Sequence, residues 1–149
     1  MIQRKQTLFL IFAVIASICC LCLPLATIYP EAMSAPSQVF NLWIADGNGN
    51  HDFSTWPLFA VLLLSAAAEF FCIFLYNNRR RQAALCVFCI FLLVVWYVLF
   101  AWLVFSGADS SASSLSLGIP VALPAVSIIF DFMARQGIIA DEKLVRSMD

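Results

Sequence analysis

Apolar residues run along this chain in long unbroken blocks rather than at the spacing of an amphipathic helix or strand. Four blocks stand out: Leu8 to Tyr29, Pro57 to Tyr76, Ala83 to Phe105 and Leu115 to Met133. A helix rises 1.5 Å per residue, so about 20 apolar residues cross a hydrocarbon core of about 30 Å. Each block meets or nearly meets that length. The pattern predicts four membrane-spanning helices over about 8–29, 57–76, 83–105 and 115–133, with outer loops at 30–56 and 106–114. Pro57 suits the first turn of the second helix, and Ser54 and Thr55 offer caps before it. The last block is the shortest and holds Pro120 and Pro124. It reads as a kinked helix whose freed backbone groups are satisfied by neighbours inside the bundle. Beyond it, Glu142 and Arg146 pair at i,i+4 while Leu144, Val145 and Met148 share an apolar side. This predicts a short amphipathic C-terminal helix, capped by Asp141, on the membrane surface or on a partner. The fold class so read is all-α: one integral-membrane four-helix bundle spanning residues 1–149.

Composition strengthens the membrane reading. The 149 residues are 63% hydrophobic and 11% charged, whereas soluble domains spread about a quarter of their residues as charge. Within the four blocks the only charged side chains are Glu69 and Asp131, which excludes a soluble enzyme. The first block is too long for the apolar core of a cleavable signal peptide, and no A-x-A site follows it. A lipoprotein signal fails as well, since Ile18, Cys19 and Leu21 stand before Cys19, Cys20 and Cys22.

Net charge is only −1, but its placement is polarised. All eight cations flank the same side of the spans: Arg4 and Lys5, then Arg79, Arg80 and Arg81, then Arg135, Lys143 and Arg146. The opposite loops carry Glu31, Asp46, Asp52 and Asp109 without a cation. Lys and Arg beside spans stay cytoplasmic, so both termini are expected there.

Several segments together resemble one family. They are Met1-Ile2-Gln3-Arg4, Asn78-Arg79 followed by Gln82 and Leu85-Cys86, the Leu123-Pro124 pair, Ala134-Arg135-Gln136-Gly137-Ile138, and Asp141 through Ser147. Across essentially the whole chain they resemble a bacterial four-helix inner-membrane family, domain-of-unknown-function family 4293. The resemblance implies topology and a bacterial inner-membrane location, and carries no reaction, ligand or catalytic residue onto any position. The family pattern usually adds a short basic segment beyond the point where this chain ends at Asp149.

Glu69 is the foremost chemical candidate, because an ionisable group inside a span is costly and functional by default. It lies about 12 Å from the cytoplasmic end of its helix, the depth expected for Ser17 on the first helix and Ser127 on the fourth. Ser65, Glu69, Cys72 and Tyr76 share one helical face. Two roles stand open for Glu69: a neutral carboxyl that hydrogen-bonds helices together, or a carrier of protons or ions. Asp131 precedes Arg135 by four residues and reads as an interfacial ion pair near the Arg79, Arg80 and Arg81 cluster.

Other motifs are bland. Cys86-x-x-Cys89, with Cys72 at similar depth, invites a redox or metal reading. The outer loops hold no cysteine, however, and a cytoplasmic-side pair faces a reducing compartment, so buried cysteine as a small hydrophobe is preferred. Asp46, Asn48, Asn50 and Asp52 alternate like calcium ligands. An EF-hand counted from Asp46 would need Gly and Glu where His51 and Pro57 stand, and Asp-Gly and Asn-Gly are ordinary turn formers. Trp96, Tyr97, Trp102 and Phe105, with Trp43, Phe53 and Trp56, read as an aromatic belt at the outer interface. No metal or cofactor and no nucleic acid is expected; the partners are the lipid bilayer and other membrane subunits or further copies of the chain. Two function classes follow: a non-enzymatic accessory, scaffold or assembly subunit, and a small proton- or ion-coupled transporter or channel subunit using Glu69. A cavity reaching Glu69 favours the second, and tight packing around it the first.

Overall fold

The computed structural model describes residues 2–30, 33–108 and 113–148; Glu31 and Asp109 of the predicted loops lie outside them. Four helices, α1 (Ile2–Cys22), α2 (Trp56–Phe74), α3 (Arg79–Ala108) and α4 (Leu123–Met148), run alternately up and down. Each contains a stretch long and apolar enough to cross a membrane, the make-up of a multi-pass membrane protein. They close into a ring in which α1 touches α2 and α4, and α3 touches α2 and α4. The outward faces are apolar, with Phe12 and Ile15 on α1, Phe71 on α2, Phe91 on α3 and Ile129 on α4 all exposed. Such a surface suits an apolar surrounding, whether a bilayer or a protein partner.

The expectation of an all-α chain is corrected by a sheet. Strands β1 (Ala26–Pro30), β2 (Ser37–Val39), β3 (Ile44–Ala45), β4 (His51–Asp52) and β5 (Ser113–Leu117) form one antiparallel sheet in the order β4-β3-β2-β1-β5. It caps the end of the bundle opposite the chain termini. The predicted first span therefore ends early. Pro24 lacks the N–H a continuing helix needs, and the chain beyond it enters β1. The predicted fourth span likewise begins in β5, where Leu115 and Leu117 alternate with Ser114 and Ser116.

The prolines do not kink α4; they start it. Pro120 opens a 3-10 turn, Ile119–Ala122, and Pro124 lies in the first turn of α4, where a missing N–H costs nothing. The Tyr97 hydroxyl donates to the Val121 carbonyl at 2.7 Å and accepts the Ala125 N–H at 2.8 Å, satisfying backbone groups at this junction. Nor does a separate tail helix form, because α4 continues unbroken to Met148. Asp141 is no cap: its buried carboxyl accepts a 2.6 Å hydrogen bond from Gln6 Nε2 of α1. The Glu142–Arg146 pair is present at 3.0 Å.

Candidate functional site

The bundle core has three layers. Nearest the sheet, Cys20, Leu25, Leu58, Leu62, Leu93, Trp96 and Phe100 form an apolar plug. Nearest the termini, Leu10, Cys72, Cys86, Ala134 and Ile138 form another. Between them lies a polar layer of Ser17 from α1, Ser65 and Glu69 from α2, and Ser127 and Asp131 from α4, none with any exposed surface.

Helical periodicity explains how α2 and α4 supply two residues each: Ser65 and Glu69, and Ser127 and Asp131, are both i,i+4 pairs on inward faces. Ser17 Oγ lies 3.3 Å and 3.1 Å from the two Glu69 oxygens and 3.2 Å from Ser127 Oγ. Ser65 Oγ is 3.4 Å from Glu69 Oε1, and Ser127 Oγ donates to the Ala13 carbonyl at 3.0 Å. The carboxyl of Glu69 thus joins α2 to α1, and Ser127 joins α4 to the same serine. Tyr76, placed on this face by the sequence pattern, instead lies past the end of α2 with its side chain exposed.

Asp131 departs furthest from expectation. It is fully buried, and neither carboxyl oxygen receives a hydrogen bond from a hydroxyl, amide or cation. Arg135 forms no ion pair with it among the described residues, and the Arg135 Nε is buried without a partner. The polar group Asp131 approaches is the Glu69 carboxyl. Two facing carboxyls are both acceptors when ionised, so a hydrogen bond between them requires a proton on one. Cys86 and Cys89, almost fully buried, close the α3 side. No composition or spacing in one chain reveals this juxtaposition, which depends on the relative heights of α2 and α4.

The remaining candidates lie elsewhere. Cys72 and Cys86 are free thiols with Sγ atoms 3.5 Å apart. Arg79, Arg80 and Arg81 begin α3 at the terminal end, where Arg80 Nε meets Glu142 at 2.9 Å. Asp46, Asn48, Asn50 and Asp52 are exposed on the β3–β4 hairpin. There the Asp46 N–H donates to Asn50, the Gly49 N–H donates to Asp46, and Gly49 adopts φ +87°. Asp46 accepts from Ser37 and Asp52 accepts from the Ser54 N–H, which is turn chemistry. His51 packs edge-on against Trp43.

The aromatic belt loses its foremost member. Trp96 is buried, stacks on Phe100 and donates from Nε1 to Asn41 Oδ1 at 2.9 Å. Trp43 is half-buried among Phe40, His51 and Phe53. Trp56, Trp102 and Phe105 remain exposed at the sheet end. Asn41 itself was not marked by any sequence motif. None of the curated proteins matches the chain. The family model described as Domain of unknown function (DUF4293) matches residues 2–149, and the chain belongs to that family.

Proposed function

We propose that this member of the domain-of-unknown-function family 4293 is a non-enzymatic accessory, scaffold or assembly subunit of a complex in the bacterial inner membrane, with both termini and Arg79 to Arg81 cytoplasmic. The observation that carries the reading is the closure of the polar layer. Glu69 is spent on Ser17 and Ser65, it has no exposed surface, and apolar plugs lie on both sides of it. A carboxyl held in this way joins helices, as buried polar side chains do in membrane bundles. The cation placement supports the orientation.

The test is purification from native membranes in mild detergent, wild type beside Glu69→Gln. A stoichiometric complex with a larger membrane protein, retained in the Gln variant, is the expected result. A chain found alone, whose reconstituted vesicles pass protons or ions in the wild type and not in Glu69→Gln, would sink the accessory role and establish the rival one. One feature favours that rival, a small proton- or ion-coupled transporter or channel subunit: the unsatisfied oxygens of Asp131 beside Glu69.

A further inference from the structure

At the terminal end, the α2–α3 turn and the last turns of α4 border a cavity of about 730 Å³ lined by Tyr76, Asn78, Arg79, Arg80, Glu142 and Arg146 among others. Its charges do not balance. Arg80 Nε and Arg146 Nη2 both converge on one oxygen of Glu142, at 2.9 Å and 3.0 Å. Arg79 Nη1 donates to the neutral carbonyl of Asp141 at 3.3 Å, while the Asp141 carboxylate is occupied by Gln6. One carboxylate therefore stands against three guanidinium groups, each a fork of five N–H donors suited to phosphate. The free N–H groups of the first turn of α3, which begins at Arg79, add positive potential at the same place.

A second, independent feature adjoins it. An apolar trough of about 630 Å³ runs between α1 and α2, lined by Leu8, Ile11, Ile73 and Phe74, and both Arg4 and Tyr76 line it too. Tyr76 is common to the two hollows. A cationic cavity that shares Tyr76 with an apolar trough matches an amphiphile: free phosphate would use only the first, and an apolar helix only the second. The helices are also exposed and apolar where such a molecule would arrive from a bilayer.

We propose that this is a site for an anionic phospholipid, its phosphodiester headgroup held by Arg79, Arg80 and Arg146 and one acyl chain laid along Leu8, Ile11 and Ile73. Basic pockets at span ends take such headgroups by charge and hydrogen bonding. The excess of two positive charges in the lining selects a headgroup with two phosphodiesters over one with a single phosphodiester. This requires the helices to lie in a bilayer and does not depend on whether the protein is a subunit or a transporter.

The test is native mass spectrometry of the full chain, titrated with diphosphatidylglycerol, phosphatidylglycerol and phosphatidylcholine. Affinity should fall in that order. Arg79→Gln with Arg146→Gln should weaken diphosphatidylglycerol by about 30-fold, from about 5-fold per arginine, and leave phosphatidylcholine unchanged. Arg79→Lys with Arg146→Lys keeps the charge and should stay within a few-fold of wild type, and Arg146→Gln alone, expected to weaken binding about 5-fold, keeps the test if the Gln pair fails to fold. Ile73→Trp fills the trough and should weaken the lipid while soluble glycerol phosphate binds as before. Equal retention of anionic and zwitterionic lipid, or indifference to the Gln substitutions, would mean unselective boundary lipid and overturn the proposal. Displacement of the lipid by millimolar inorganic phosphate, with Ile73→Trp silent, would overturn it in favour of a free-phosphate site.

Discussion

Asn41 binds Trp96 and α1 at once: its Oδ1 accepts the indole N–H at 2.9 Å and its Nδ2 donates to the Cys20 carbonyl at 2.7 Å. A residue between two strands of the sheet thereby satisfies one of the last carbonyls of α1, groups that have no intrahelical partner. It also satisfies the polar edge of the largest fully buried side chain in the bundle. Asn41→Ala leaves both partners buried and unpaired, at about 1–3 kcal/mol each. A loss of about 3 kcal/mol in thermal or denaturant unfolding is expected, with a shift in Trp96 emission. In a cycle with Trp96→Phe, the double variant should lose less than the sum of the singles. Additive losses would mean that the 2.9 Å contact contributes nothing.

The serine-lined carboxyl makes a separate prediction. The described polar layer contains no cation within reach of Glu69 or Asp131, and each Glu69 oxygen already meets a serine hydroxyl. A neutral Glu69 fits that environment, so Glu69→Gln should leave stability nearly unchanged. Glu69→Leu deletes the bonds to Ser17 and Ser65 and should cost on the order of 1 kcal/mol. Infrared difference spectra of the wild type against Glu69→Gln should show a protonated carboxyl stretch at pH 7; a carboxylate band in its place refutes the neutral assignment.

Replacing Cys86 and Cys89 by Ala should leave the fold and any cellular phenotype nearly intact. Both thiols are almost fully buried, so the variant loses packing rather than chemistry, about 1–2 kcal/mol at most for two deleted sulfurs in a core. Unfolding curves measure the first quantity. A defect that tracks the redox state of the medium would contradict the second.

Orientation is open to direct labelling. In a cysteine-free background, a thiol at position 80 should react only with a reagent on the cytoplasmic side. One at position 48, in the exposed β3–β4 hairpin, should react only from the opposite side. Labelling of both from one side would dismiss the four-span arrangement.

Gly137 tests the α1–α4 seam. A Cβ there would lie 3.1 Å from Gln6 Cγ and 3.3 Å from Gln6 Nε2, close enough to displace the side chain that holds Asp141. Gly137→Ala should be tolerated within about 1 kcal/mol because Gln6 is flexible, whereas Gly137→Leu should cost about 1–3 kcal/mol by overpacking. Thermal unfolding of both variants separates the two cases.

How far the fold could be read from the chain varied with the kind of signal. The α2 and α3 blocks are bounded by Pro57 and by Arg79 to Arg81, and the helices lie within a few residues of the predicted limits. The first block overran because Leu25 to Tyr29 is as apolar as a helix and only Pro24 marks the change. The alternation of Leu115 and Leu117 with serines was the strand signal in the fourth block, but the block's overall apolarity masked it. The fourth helix outran its predicted end because the apolar run stops at Met133 and Asp141 read as the cap of a separate helix, while packing buries the Asp141 carboxyl against Gln6. The segment Ala134 to Ile138 illustrates the same limit: Ala134 and Ile138 are fully buried and Gly137 abuts Gln6. Its pattern records a helix–helix seam that the sequence shows without saying what it faces.

The pairing of β1 with β5 has a mechanical consequence. β1 follows α1 after three residues and β5 leads through the 3-10 turn into α4, so the five-residue ladder between them pins one end of this helix pair, while Gln6 and Asp141 pin the other and Ser127 bonds the Ala13 backbone midway. Shear of α1 along α4 would have to break the ladder and both side-chain ties together. The α2–α3 hairpin meets that strut through side chains at Ser17, Tyr97, Arg79 and Arg80. A swing of the α2–α3 hairpin against α1 and α4 would therefore have to break the Glu69–Ser17 bonds and the ties of Arg79 and Arg80 to α4 as well.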